Sequence, residues 1–112
     1  MSFIIEEFKF YKVFLYGRKA GGEQTDYGID IHIPSGKARL KFCSNYMREN
    51  ECIEKNGKYF FKVYLRADKY HAFIDILRYE KPLYFFYDLD KNLSYITTED
   101  EPVGEEEHEQ DD

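Results

Sequence analysis

"KYFFKVYLR", Lys58 to Arg66, decides how this chain is read. In an extended conformation one face of the segment carries Tyr59, Phe61, Val63 and Leu65, which is core material. The other face carries Lys58, Phe60, Lys62, Tyr64 and Arg66, cations and large rings by turns. A strand face turned to water has no need of two rings between three cations. The face is therefore either a binding surface or lies against another part of the protein.

Working outward, Asn56-Gly57 is the residue pair that two-residue hairpin turns favour, so a strand is expected before it as well as after it. The left arm, "YMRENECIE" (46–54), fits a strand or one irregular helical turn, and is read as a strand because the turn asks for a partner on both sides. Upstream, "YGIDIHI" (27–33) alternates Tyr27, Ile29, Ile31 and Ile33 with Gly28, Asp30 and His32. "PSG" turns it into "KARLKFC" (37–43), where Ala38, Leu40 and Phe42 alternate with Lys37, Arg39 and Lys41, and the two runs form a hairpin. "FKFYKVFLY" (8–16) is apolar at both parities and reads as one strand buried on both faces.

Downstream, "ADKYHAFIDILRYEKP" (67–82) places Tyr70, Phe73, Ile74 and Leu77 on one helical stripe, with Asp68 as N-cap and Pro82 as stop. "LYFFYDL" and "LSYITT" then pair around the turn "DKN". The order is five strands, one helix, two strands. This predicts an α+β, mainly β fold: a small, largely antiparallel β-barrel or curled sheet with the helix closing one end. A flat sheet with the helix on one side is the competing layout.

The 112 residues suffice for one domain, assigned to 1–98. With 11 Tyr, 10 Phe and no Trp, many rings must sit where apolar and wet surroundings meet. Cys43 and Cys52 have no metal or redox spacing and are expected as free thiols. The N-terminus meets two glutamates before any useful apolar run, unlike a signal peptide, and no stretch reaches the roughly 20 apolar residues of a membrane helix. A cytosolic protein with no membrane partner is the expectation.

The net charge of −6 is unevenly spread. "EDEPVGEEEHEQDD" (99–112) holds nine acids and no Lys or Arg, so the body has 22 − 9 = 13 acids against 16 bases, a charge of +3. The tail lacks hydrophobic content and is expected to be disordered.

No catalytic or cofactor motif is present. His32, His71 and His108 are scattered, Asp88 and Asp90 are explained by turn chemistry, and Asp30 by a cross-strand pair with Lys or Arg. The expectation is a binding module without enzymatic activity, cofactor or metal. Its candidate surface is Lys58, Phe60, Lys62, Tyr64 and Arg66, with Lys37, Arg39 and Lys41 beside them if the strands are neighbours; Lys9, Tyr11, Val13 and Leu15 share a face of the first strand. Cations that follow phosphates and rings that stack on bases bind single-stranded nucleic acid, and an acidic tail can compete with the phosphates. The organisation is similar to that of single-stranded-DNA-binding proteins with a basic barrel and an acidic C-terminal tail. Those tails end in a hydrophobic residue that recruits partners, whereas this one ends "EQDD". The alternative is a homo-oligomeric structural or adaptor protein whose aromatic strand faces are buried between subunits. Exposure of Phe60 and Tyr64 separates the two.

Overall fold

The computed structural model describes residues 2–17, 24–45 and 48–100. Eight strands and one helix follow in the order β1 (Phe3–Phe8), β2 (Tyr11–Leu15), β3 (Thr25–Ile33), β4 (Gly36–Cys43), β5 (Glu51–Lys55), β6 (Lys58–Arg66), α1 (Tyr70–Tyr79), β7 (Leu83–Asp88) and β8 (Leu93–Thr98). The fold is mainly β with one short helix. Its strands form two open sheets and no closed barrel among the described residues: a five-stranded sheet ordered β2-β3-β4-β6-β5 and a three-stranded sheet ordered β1-β7-β8. The large sheet does not need to close on itself, because the small sheet and α1 together cover its apolar face.

Two segments differ from the reading of the sequence. "FKFYKVFLY" is broken at Lys9 and Phe10: Phe8 ends β1 in the small sheet, and Tyr11 begins β2 in the large one. Its double-sided apolarity reflects a chain that changes sheets, and Phe10, Val13 and Leu15 remain exposed. The second difference is β4 with β6, which run parallel, Gly36 opposite Tyr59 and Cys43 opposite Arg66. The chain leaves β4, places β5 at the sheet's edge, and turns back through Asn56-Gly57 so that β6 fills the space between β4 and β5. Both turn residues have positive φ, 54° and 77°, as this hairpin type requires. The strand expected over 46–54 is observed from Glu51 onward, and Tyr46 and Met47 lie outside the described residues.

The core lies between the layers. Ile29, Ile31, Ala38, Leu40, Phe42, Phe61 and Val63 of the large sheet are buried against two covers. At one end Phe61 packs on Phe85 and Tyr87 of β7, ring centroids 5.2 and 4.7 Å away. At the other, Tyr70 of α1 stacks on Tyr27 at 3.9 Å, and Phe42 meets Tyr70 and Phe73 edge-on. Each such ring removes roughly 150–250 Å² from water, which lets so small a chain sustain a core. The helical stripe is as expected, with Ile74 and Leu77 buried. Asp68 is not the N-cap: it sits inside a 3-10 turn, Ala67–Lys69, and pairs with Arg66 at 3.2 Å.

Polar side chains fasten the two sheets together. Glu6 of β1 accepts hydrogen bonds from the Ser35 amide and hydroxyl at 3.0 and 2.7 Å, reaching the β3–β4 turn. At the other end Asn50 and Asn92 exchange side-chain-to-carbonyl bonds, and the Asn50 side chain accepts the Tyr64 amide at 2.8 Å. The Tyr87 hydroxyl donates to Asn92 Oδ1. Burial, with the charges near Cys52 and Glu51, pushes that phenol up to about 12, so it remains a donor at any working pH.

Candidate functional site

The helix and the small sheet both lie on one side of the large sheet. The other side is the face that carries Phe60 and Lys62; its centre is buried, Asp30 3% and Tyr64 7% exposed, while Lys12, His32, Lys58 and Arg66 at its margins are exposed and Phe60 and Lys62 partly so. Register assembles it row by row. One row crosses all five strands as Lys12, Asp30, Arg39, Lys62 and Glu51. On one side lies the row Phe14, Gly28, Lys41 and Tyr64; on the other, His32, Lys37, Phe60 and Ile53. Adding Lys55, Lys58 and Arg66, the face carries eight Lys and Arg against two acids, Asp30 and Glu51.

The parallel pairing of β4 with β6 is what brings Lys37, Arg39 and Lys41 beside Phe60, Lys62 and Tyr64. Lys58 and Arg66 stand at opposite ends of β6, about 26 Å apart at strand rise. The two rings differ. Tyr64 is 7% exposed, with the Lys41 ammonium 5.7 Å from its centroid, whereas Phe60 is only partly covered. Tyr11, Val13 and Leu15 belong to the opposite face of β2. In their place the structure contributes Lys12, Phe14 and Tyr16. Phe14 has Lys12 Nζ at 5.2 Å and Arg39 Cζ at 5.5 Å from its ring, within cation–π range. Tyr16 lies across Gly28, where any Cβ would come within 2.9 Å of its ring. The alternation Lys12-x-Phe14-x-Tyr16 was visible in the sequence, but a strand read as buried on both faces offered no reason to select it.

Asp30 organises the centre. Its carboxylate is buried and accepts two bonds from Arg39, at 2.8 and 3.0 Å, with Lys37 Nζ at 3.3 Å. Burial pushes this carboxyl up, but the hydrogen bond and charge of Arg39, with Lys37 behind it, outweigh that and hold it below its ordinary value. The same hydrogen bond raises the Arg39 guanidinium further. Arg39 and Lys37 are thus partly neutralised, and Arg66 is paired with Asp68. Lys12, Lys41, Lys58 and Lys62 form no ion pair among the described residues.

The other chemistry-bearing groups lie apart. His32 and His71 are exposed, and His108 lies outside the described residues. No cluster of His, Cys, Asp and Glu able to hold a metal occurs among the described residues. Cys43 and Cys52 sit on β4 and β5 with β6 between them, Cys43 level with Arg66 and Cys52 with Phe61, so two strand spacings and five residues along the strand put them about 19 Å apart, beyond disulfide reach. Burial and the Glu54 carboxylate push the Cys52 thiol up, away from the reactive thiolate. An open groove of about 540 Å³ lies where β1, β2 and the end of α1 meet, floored by Phe8, Tyr11, Leu77, Pro82 and Leu83. No described helix is long and apolar enough to cross a membrane. Comparison with protein-family models, curated proteins and solved structures gives no match.

Proposed function

We propose that the basic face of the five-stranded sheet binds single-stranded nucleic acid, without catalysing a reaction, and that the acidic tail competes for it. One observation supports the reading: register interleaves cations and rings over one strand face, with Lys12 and Lys58 exposed and Phe14, Phe60 and Lys62 partly exposed. Phosphates follow Lys12, Lys41, Lys58 and Lys62, while Phe60 and Phe14 offer ring surface to bases. Arg39 and Lys37 remain oriented by Asp30, and Lys37 is the more exposed of the two. Tyr64, buried on the same face, packs beside Lys41, and Arg66 closes the end of the strand. The tail's nine carboxylates are tethered to the same chain, and a dozen extended residues reach about 40 Å, enough to round the edge of a two-layer domain.

The test is anisotropy of a labelled oligothymidylate titrated with the full chain and with a chain ending at Asp100, across a salt series. Four neutralised phosphates give a slope of log affinity on log salt of about −3. Tail removal tightens binding. Phe60→Ala and Phe14→Ala each weaken it by about 1–3 kcal/mol with folding intact, and Lys62→Ala flattens the salt slope by roughly one phosphate. Absence of binding by the shortened chain at low salt overturns the proposal, as does binding indifferent to these variants.

A further inference from the structure

The small sheet also has an outer face, and it is apolar. Register sets Ile5, Phe86 and Tyr95 in one row, with Phe3, Asp88 and Leu93 in the next. Phe3 stacks on Phe86 at 5.5 Å and Phe86 on Tyr95 at 4.4 Å, so the rings form a continuous run across the sheet. Phe3, Ile5 and Leu93 are each 51% exposed and Tyr95 45%. No Lys or Arg stands on this face. Asp88 is buried, its carboxylate accepting the Asp90 and Lys91 amides of the turn. Glu7 stands in the face's third row with Tyr84 and Thr97. Asp90, Glu99 and Asp100 flank the strand ends, as do Lys9, Lys81 and Lys91. Glu99, where the tail departs, accepts the Tyr84 hydroxyl at 3.0 Å.

The remaining chain cannot cover this surface. Outside the described residues are Met1, "RKAGGE" (18–23), "YM" (46–47) and "EPVGEEEHEQDD" (101–112), none with an apolar run to match a three-strand face. With no Lys or Arg within its rows, the face offers no cation to nucleic acid or anionic lipid. A second copy offers the same size, the same lack of basic charge and a matching run of rings. The half-exposed side chains, with Tyr84, Phe86 and Thr97, present about 500–600 Å² per copy, so a symmetric pair buries roughly 1,000–1,200 Å², at the lower bound for a specific interface.

We propose that the protein pairs with a second copy through this outer face, about a twofold axis. Its core is apolar and the two copies carry the same net charge of −6, which fixes the sign of its salt dependence. Screening that charge strengthens the pair, the reverse of what phosphate binding requires. The two proposals therefore fail independently, and this one is tested without any oligonucleotide.

Sedimentation equilibrium of the full chain at micromolar concentrations reads the mass directly. At high salt it approaches twice the 13.5 kDa of the monomer, and at low salt it falls toward 13.5 kDa. Leu93→Glu weakens pairing at least about tenfold, since a carboxylate becomes buried between apolar faces. Tyr95→Ser is read in its place if that variant melts early. Lys62→Ala, on the opposite sheet, leaves the mass unchanged. A monomer at every salt overturns the proposal, as does a Leu93→Glu or Tyr95→Ser chain that pairs like the parent, or a pair that loosens with salt. Flotation of the monomer with phosphatidylcholine vesicles would assign the face to lipid, with the same consequence.

Discussion

Asp30 is the residue on which the basic face turns. A carboxylate buried among cations costs desolvation, and here the two-pronged bond from Arg39 and the ammonium of Lys37 repay it. Its folded-state pKa is depressed, so its stabilisation is complete above the unfolded value of about 3.9 and is lost as pH falls through the folded one. Asp30→Asn should cost about 1–3 kcal/mol at neutral pH, less than a fully buried pair because both cations keep contact with water. Urea unfolding at neutral pH and near pH 3 checks it: the gap between parent and variant narrows in acid. A variant as acid-sensitive as the parent contradicts the assignment. The pairing of Asp30 with Lys or Arg was legible from alternation alone, since a polar residue inside "YGIDIHI" must face its neighbours' polar side. The unequal burial of Phe60 and Tyr64 was not, because both share one parity. Strand neighbours alone do not separate them, since Phe60 lies between Lys37 and Ile53; Tyr64 lies past the end of β5, where the chain at Asn50 reaches its amide.

At the scale of elements, hairpins were legible and sheet order was not. Asn56-Gly57, "PSG" and "DKN" each join the strands they were expected to join, because turn chemistry acts over a few residues. The parallel pairing of β4 with β6 has no such local signal. Its nearest mark is Gly36, whose φ of 156° brings the backbone against β6, where a Cβ would lie 1.9 Å from the Tyr59 carbonyl oxygen. Gly36→Ala should therefore cost about 3 kcal/mol or more, since backbone rather than a flexible side chain must move. Gly57→Ala, at positive φ but in open space, should cost only about 1–2 kcal/mol. Urea midpoints of the two variants test the difference, and equal costs would remove the close approach as an explanation. The first strand was misread for a related reason. A run apolar at both parities describes a strand covered on two sides, but equally a chain crossing between layers, and Lys9-Phe10 gives no break that composition reveals.

For the whole molecule, charge distinguishes the two sheets. Eight Lys and Arg gather on one face of the large sheet, the outer face of the small sheet has none, and acids are concentrated in the tail. The tail's "EPVGEEEHEQDD" contributes one valine of aliphatic surface, so removing residues 101–112 should leave the melting temperature within a few degrees; a larger loss would show that it packs on the body. Pairing through the small sheet would leave the basic faces on opposite sides, free to engage separate strands or distant stretches of one. The small sheet also governs when the fold can form. Phe3 pairs with Asp88, and 88 − 3 = 85 residues must be added between the two. At ribosomal speeds of about 5–20 residues per second that takes roughly 4–17 s, during which Phe3, Ile4, Ile5 and Phe8 have no strand to join. The large sheet and α1 can assemble as they emerge, but β1 has to be held in reserve until β7 has left the ribosome. Closure of this domain thus waits on the synthesis of β7, and until then the nascent chain carries β1 as an apolar strand without its sheet partner.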